Sequence, residues 1–174
     1  MTNGVPTLAA IALGSNQPSF AGDPRATILE AMNALRNLPH TTFLKASSLY
    51  ETKPVSEIPQ PNYINAAASI ETTLTAYELL DQLLGIEKRF GRTRTAERNT
   101  PRSLDLDILF FGDLVLHEPT LTLPHPRLHE RRFALEPLAE ILGARPIAGM
   151  NTLGRTATQM LRIIRGIAGS DSAS

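Results

Sequence analysis

The chain has 174 residues, 42% apolar and 20% charged, with no cysteine. That fits one domain able to build its own core, and it excludes a disulfide framework, a thiolate nucleophile and a cysteine-ligated metal centre. Its 17 Lys and Arg balance 17 Asp and Glu, so no global field draws the surface toward nucleic acid or an acidic membrane.

The start, Met1-Thr-Asn-Gly-Val-Pro6, lacks the basic opening and apolar run of a secretory signal. No stretch approaches the ~20 apolar residues of a membrane span. A cytoplasmic location is therefore expected. Leu8 to Leu13 reads as a buried first strand ending in the turn Gly14-Ser15-Asn16. Asp23-Pro24 opens a helix, because aspartate caps the free amides and proline at the first position forfeits no hydrogen bond. Ile28, Met32, Leu35 and Leu38 form its apolar stripe, and Pro39 closes it.

A second strand is expected over 42–50 and a third over 63–71, with Ile64, Ala66, Ala68 and Ile70 on one face. Between them, Glu51 to Asn62 contains Pro54, Pro59 and Pro61, which marks a long functional loop and not a hairpin turn. Thr75-Ala-Tyr-Glu78 fits a capping box. The helix behind it carries Ala76, Leu79, Leu80, Leu83, Ile86 and Phe90, and Gly91 stops it. After an arginine-rich loop, Leu104, Leu106, Ile108 and Phe110 should line one face of a strand and Asp105 and Asp107 the other. A last helix is expected at roughly 156–164.

The order strand, helix, strand, strand, helix, strand predicts an α+β fold with a ferredoxin-like β-α-β-β-α-β core. Its antiparallel sheet carries the helices on one face, with additional elements appended. The opposite face is left for loops and ligands. A doubly wound nucleotide-binding sheet is disfavoured, because two consecutive strands lack a crossover helix and no glycine-rich phosphate loop occurs. One domain over 7–165 is expected, followed by a disordered tail at 166–174.

The chemistry concentrates around residues 88–107. Alternate strand residues lie ~7 Å apart, so Asp105 and Asp107 can converge on one or two divalent cations. Just upstream come Lys88, Arg89, Arg92, Arg94, Arg98 and Arg102 against a single Glu97. Acids that grip a hard cation, beside bases that grip anionic oxygens, suit a polyphosphate. Asn65 shares a strand face with Tyr63, and its amide suits the donor–acceptor edge of a heterocycle. Tyr63 and Phe133 could stack on a flat ring. His125 lacks a partner set for zinc and instead suits a rigid loop facing phosphate, together with Arg127 or Arg131.

Seven segments carry a resemblance: Ile11-Ala-Leu-Gly-Ser-Asn16, Ser47-Ser-Leu-Tyr-Glu-Thr52, Tyr63-Ile-Asn-Ala66, Gly91-Arg92, Pro101-Arg-Ser-Leu-Asp-Leu-Asp-Ile108, Leu123-Pro-His-Pro-Arg127 and Arg131-Arg-Phe-Ala-Leu-Glu-Pro-Leu138. In order, over residues 8 to about 140, they resemble the 6-hydroxymethyl-7,8-dihydropterin pyrophosphokinases of folate biosynthesis. The resemblance implies transfer of pyrophosphate from ATP to the pterin hydroxymethyl group, giving AMP and the pterin diphosphate. It also implies two magnesium ions, a ferredoxin-like fold and a monomer whose partners are ATP and the pterin. By position it makes Asp105 and Asp107 the magnesium ligands and, with Arg92 and Arg94, the catalytic set. Thr52, Val55, Tyr63, Asn65 and Phe133 match the pterin site. Glu87, Arg98, Arg102, His125 and Arg131 match the ATP site.

Loops 51–62 and 91–103 would then act as lids. Two departures from the family pattern are Asn99, where tryptophan is frequent, and Lys53, where proline is frequent. The rival readings are a ferredoxin-like RNA-binding module and a regulatory nucleotide-binding domain. A carboxylate pair on the ligand face argues against the first, and AMP formation would exclude the second.

Overall fold

The structure, a computed structural model, describes residues 4–54, 57–91, 103–126, 128 and 132–142, apart from the side chains of 132 and 133. Strand β1 (Thr7–Ser15) lies at the centre of the main sheet, paired antiparallel with β4 (Tyr63–Thr72) on one side and β5 (Asp105–Phe111) on the other. The far edge of β4 is shared by β2 (Thr41–Ala46) and β3 (Tyr50–Thr52). The sheet order β2-β4-β1-β5, with β3 beside β4, is the ferredoxin-like arrangement expected from the element order. A small ribbon, β6 (Leu116–His117) with β7 (Thr122–Leu123), follows β5.

Helix α1 (Pro24–Arg36) begins as its local chemistry dictates, with the Asp23 carboxylate accepting the Ala26 amide at 2.8 Å. Helix α2 (Ala76–Arg89) opens on a full capping box, in which Thr75 and Glu78 satisfy each other's amides. It ends at Gly91, whose φ of +83° is one that side-chain-bearing residues rarely adopt. The apolar stripes of both helices bury against the same face of the sheet. Ile28, Ala31, Met32 and Leu35 join Leu79, Leu83 and Ile86 over Ile11, Leu13, Ile64, Ala66, Ala68 and Ile70. Each large aliphatic side chain fully buried here contributes about 1.5–3 kcal/mol.

The opposite face departs from expectation. Helix α3 (Arg132–Leu142) lies across part of it and packs Ala134, Leu135, Leu138 and Ile141 on Ala10, Ala67, Leu109 and Phe110. Part of the face reserved for ligands is thus a second core. Phe110 was expected on the α1/α2 side, but a β-bulge moves it. Ile108 pairs with Ile11 and Phe110 with Ala10, so Leu109 is the extra residue. Leu109 and Phe110 both serve the α3 core, and Phe111 rejoins the first.

The expected strand 42–50 is likewise two strands. At Ser47 the hydroxyl takes over the ladder role and accepts the Ala67 amide at 2.8 Å. The Ser48 amide turns away to Glu140 on α3. The helix expected at 156–164 and the tail lie outside the described residues. Among the described residues, no helix is long and apolar enough to cross a membrane.

Candidate functional site

The pairing of β1 with both neighbours assembles the site. Gly14 lies opposite Asn65 on β4 and opposite Asp105 on β5, while Ala12 lies opposite Ala67 and Asp107. Tyr50 on β3 continues the first row beyond Asn65, and Thr52 pairs with Tyr63. Tyr50, Thr52, Tyr63, Asn65, Gly14, Asp105 and Asp107 therefore share one face and one end of the sheet. This is the α3 face, since Ala10 and Ala67 pack beneath that helix. The polar end lies next to it. Both carboxylates are half-buried, with only glycine and alanine as cross-strand neighbours on β1. Those small residues leave room for a ligand above the central strand.

Asn65 is nearly buried, at 7% exposure. Its Nδ2 donates to the Thr52 hydroxyl at 2.6 Å, which fixes the direction of the amide. Glu87 is the one charged member of the α2 stripe, only 2% exposed. Its Oε2 accepts the Leu106 amide at 2.8 Å, so this carboxylate grips β5 between the two aspartates. His125 follows the cis Leu123–Pro124 bond and is half-buried. Its backbone amide donates to the Leu109 carbonyl at 2.8 Å, which docks the loop two residues beyond Asp107. Phe133 occupies the first turn of α3. Val55, Arg92, Arg94, Arg98, Asn99, Arg102 and Arg131 lie outside the described residues.

Sequence reasoning passed over two anchors. Asn16, read as part of a plain turn, is 1% exposed. Its Nδ2 donates to the Gln60 side chain at 2.7 Å and to the Pro61 carbonyl at 3.1 Å. It thereby ties the proline-broken loop, which begins at residue 53 because Glu51 and Thr52 belong to β3, to the end of β1. The signal was available as an asparagine directly following an apolar strand. The second anchor is Glu140 on α3, which accepts the Ser48 hydroxyl and the Tyr50 hydroxyl, each at 2.6 Å, as well as the Ser48 amide. It clasps β3 to α3 beside Asn65, and a surface glutamate far along the chain gave no local sign of that role.

The clasp leaves its mark on ionisation. Burial and the neighbouring Glu140 push the Tyr50 hydroxyl up to about 12. Burial opposes ionisation of Glu140, but the hydrogen bonds from Ser48 and Tyr50 outweigh it and hold the carboxyl below its usual range. A raised tyrosine stabilises the fold fully below its ordinary value, and the effect is lost as pH rises through about 12. A lowered carboxylate stabilises it above the ordinary carboxylate range, and the effect is lost as pH falls through the folded value. The clasp is thus intact across neutral pH. Tyr50→Phe should lower stability at pH 7 by about 0.5–1 kcal/mol, the small figure suiting a solvent-accessible bond. Urea unfolding should show that difference shrinking in acid, where Glu140 is protonated in both proteins. A pH-independent difference would mean that the hydroxyl does not act through the carboxylate.

A cleft of about 250 Å³ lies elsewhere, between the start of α1 and the end of the proline loop, lined by Asp23, Arg25, Glu51, Asn62 and Ile64. Arg25 and Glu51 meet across it at 3.8 Å, both well exposed, an ion pair worth little in water.

The family model for 7,8-dihydro-6-hydroxymethylpterin-pyrophosphokinase (HPPK) matches residues 10–143. The chain belongs to the HPPK family. It is 42% identical over 133 residues to the 2-amino-4-hydroxy-6-hydroxymethyldihydropteridine pyrophosphokinase of Haemophilus influenzae, covering 76% of this chain and 80% of that one. Its identity to the Bacillus subtilis protein of the same description is 43% over 134 residues, 77% of each chain. A crystal structure of Plasmodium falciparum HPPK-DHPS superposes with a TM-score of 0.71 at 14% identity, covering 98% of this chain and 46% of that one. This HPPK-family chain therefore spans a little under half of that chain, and the likeness to it is one of fold. The described residues assigned to the site, from Gly14 to Glu140, fall within the family match.

Proposed function

We propose that this chain transfers the β,γ-pyrophosphoryl group of ATP to 6-hydroxymethyl-7,8-dihydropterin, releasing AMP, with magnesium bound by Asp105 and Asp107. The observation that carries the reading is the row Asn65–Gly14–Asp105 across β4, β1 and β5. It sets an amide suited to a heterocycle edge two strand spacings, about 10 Å, from a carboxylate suited to a cation. A bicyclic substrate with a reactive arm could reach between those two positions.

The donor set suits magnesium. This ion keeps several waters and substrate phosphate oxygens and takes only one or two carboxylates from the protein. Bound there, magnesium would supply charge neutralisation on the phosphate oxygens.

The chain's own residues do the rest. Asn65, aimed by Thr52, reads the ring edge, and Tyr63 offers its face for stacking, with Phe133 as the second aromatic. Glu87 holds β5 by the Leu106 amide and so keeps the aspartates in register. His125, whose backbone docks on Leu109, would serve the nucleotide, with Arg98, Arg102 and Arg131 as further phosphate partners. Arg92 and Arg94 give the moving group planar, multidentate donors. In the reaction the pterin hydroxyl oxygen bonds to the β-phosphorus and loses its proton, the bond to the α,β-bridging oxygen breaks, and AMP departs with that oxygen.

Purified protein with ATP, magnesium and the hydroxymethyl-dihydropterin should form AMP and pterin diphosphate one for one. Omission of either the metal or the pterin should abolish AMP formation. ADP as product, or nucleotide binding without turnover, would reject the assignment.

A further inference from the structure

Gly14 sits one residue before the end of the central strand, where glycine weakens pairing by its conformational freedom. Its backbone gives no reason for glycine, because among the described glycines a positive φ falls on Gly4, Gly22, Gly91 and Gly112 and not on Gly14. The reason lies in what stands above it. A Cβ at this position would come 3.3 Å from Oδ1 of Asn65 and 3.8 Å from Cδ1 of Tyr63. The first approach is tighter than nine in ten real contacts of a Cβ, so the neighbour must give way, and the second is ordinary packing.

The other end of the same amide is already fixed, since Nδ2 donates to the Thr52 hydroxyl at 2.6 Å. Asn65 is thus held at one side by Thr52 on β3 and rests at the other on the bare backbone of β1. A methyl group at position 14 would lift the oxygen by a few tenths of an ångström, swinging the amide about its Thr52 bond. A hydrogen-bonding edge is sensitive to such a displacement, because donor and acceptor must both stay aligned with the ligand.

We propose that Gly14 is a positioning residue for substrate recognition: its missing side chain seats the Asn65 amide at the height and tilt that reads the pterin edge. This rests on the pterin reading given above. It assigns Gly14 no contact with ATP or with the reacting atoms, so its influence should fall on pterin binding and leave the nucleotide side unaffected.

The test is Gly14→Ala, with Asn65→Ala and the double variant, measured by titration with hydroxymethyl-dihydropterin and separately with magnesium ATP. Gly14→Ala should weaken pterin binding by roughly 10-fold or more, with ATP affinity changed by less than about 2-fold and kcat at saturating pterin falling far less than kcat/KM. In the Asn65→Ala background the same substitution should have no further effect on pterin binding, because its target is gone. Additive losses, or equal losses for pterin and ATP, would overturn the proposal.

If Gly14→Ala fails to fold, the double variant should recover folding by removing the crowded oxygen. Failure of that rescue would show that the glycine serves something other than Asn65. If the wild-type protein binds no pterin, the functional reading falls, and the positioning claim is still decided by the Asn65 side-chain amide signals in the NMR spectrum of the free protein. Those signals should shift in Gly14→Ala, and unchanged signals would refute the claim.

Discussion

Asp107→Ala, and equally Asp105→Ala, should lower turnover by ~100-fold or more, a loss of about 2.7 kcal/mol or more of transition-state stabilisation. The fold should be almost untouched. Both side chains are half-buried on the open end of their face, while the residues that anchor β5, namely Leu104, Leu106 and Ile108, point into the α1/α2 core. Glu87 still holds the Leu106 amide in either variant. Folding is checked by urea unfolding and turnover by AMP release across a magnesium titration. The variants should stay slow at all metal concentrations, or recover only partly at very high ones. A folded variant with wild-type turnover would remove that aspartate from the mechanism.

Asn65→Ala should weaken pterin binding by about 1–3 kcal/mol, since a heterocycle buried against the site would lose a paired edge and leave its own polar atoms unsatisfied. Part of the effect arises before any ligand arrives, because the Thr52 hydroxyl loses its partner as well. Thr52→Val should therefore reproduce a fraction of the loss, and Asn65→Ala should exceed it. Calorimetric titration measures both. An unchanged pterin constant in Asn65→Ala would mean that this amide merely braces β3 against β4.

The parts of the fold that were legible from the chain are those decided within a few residues. Asp23-Pro24 and Thr75 with Glu78 start helices by chemistry confined to one turn. The alternation Ile64, Ala66, Ala68, Ile70 needs only the two-residue period of a strand. That same period put Tyr63 with Asn65 and Asp105 with Asp107. It could not show that the two pairs belong to one site, because this depends on β4 and β5 flanking the same central strand.

What stayed hidden was likewise set by distant partners. The break after Ala46 comes from Ser47 answering Ala67 and from Ser48 answering Glu140. The misplacement of Phe110 comes from a bulge that exists only against Ala10 and Ile11. Helix α3 was not among the expected elements, and it carries Pro137, which forfeits one helical hydrogen bond. Its stripe of Ala134, Leu135, Leu138 and Ile141 outweighs the lost hydrogen bond once it has a sheet to cover.

The way β5 is held has a consequence for the protein's solubility. Among the described residues this strand lies at the border of the main sheet, where unclaimed backbone groups would invite a strand from another molecule. Near the aspartates two of those groups are already engaged: the Leu106 amide by the Glu87 carboxylate and the Leu109 carbonyl by the His125 amide. The contacts that keep the acids in place therefore also close this stretch of the border to a foreign strand. Loss of Glu87 would release the Leu106 amide for such pairing.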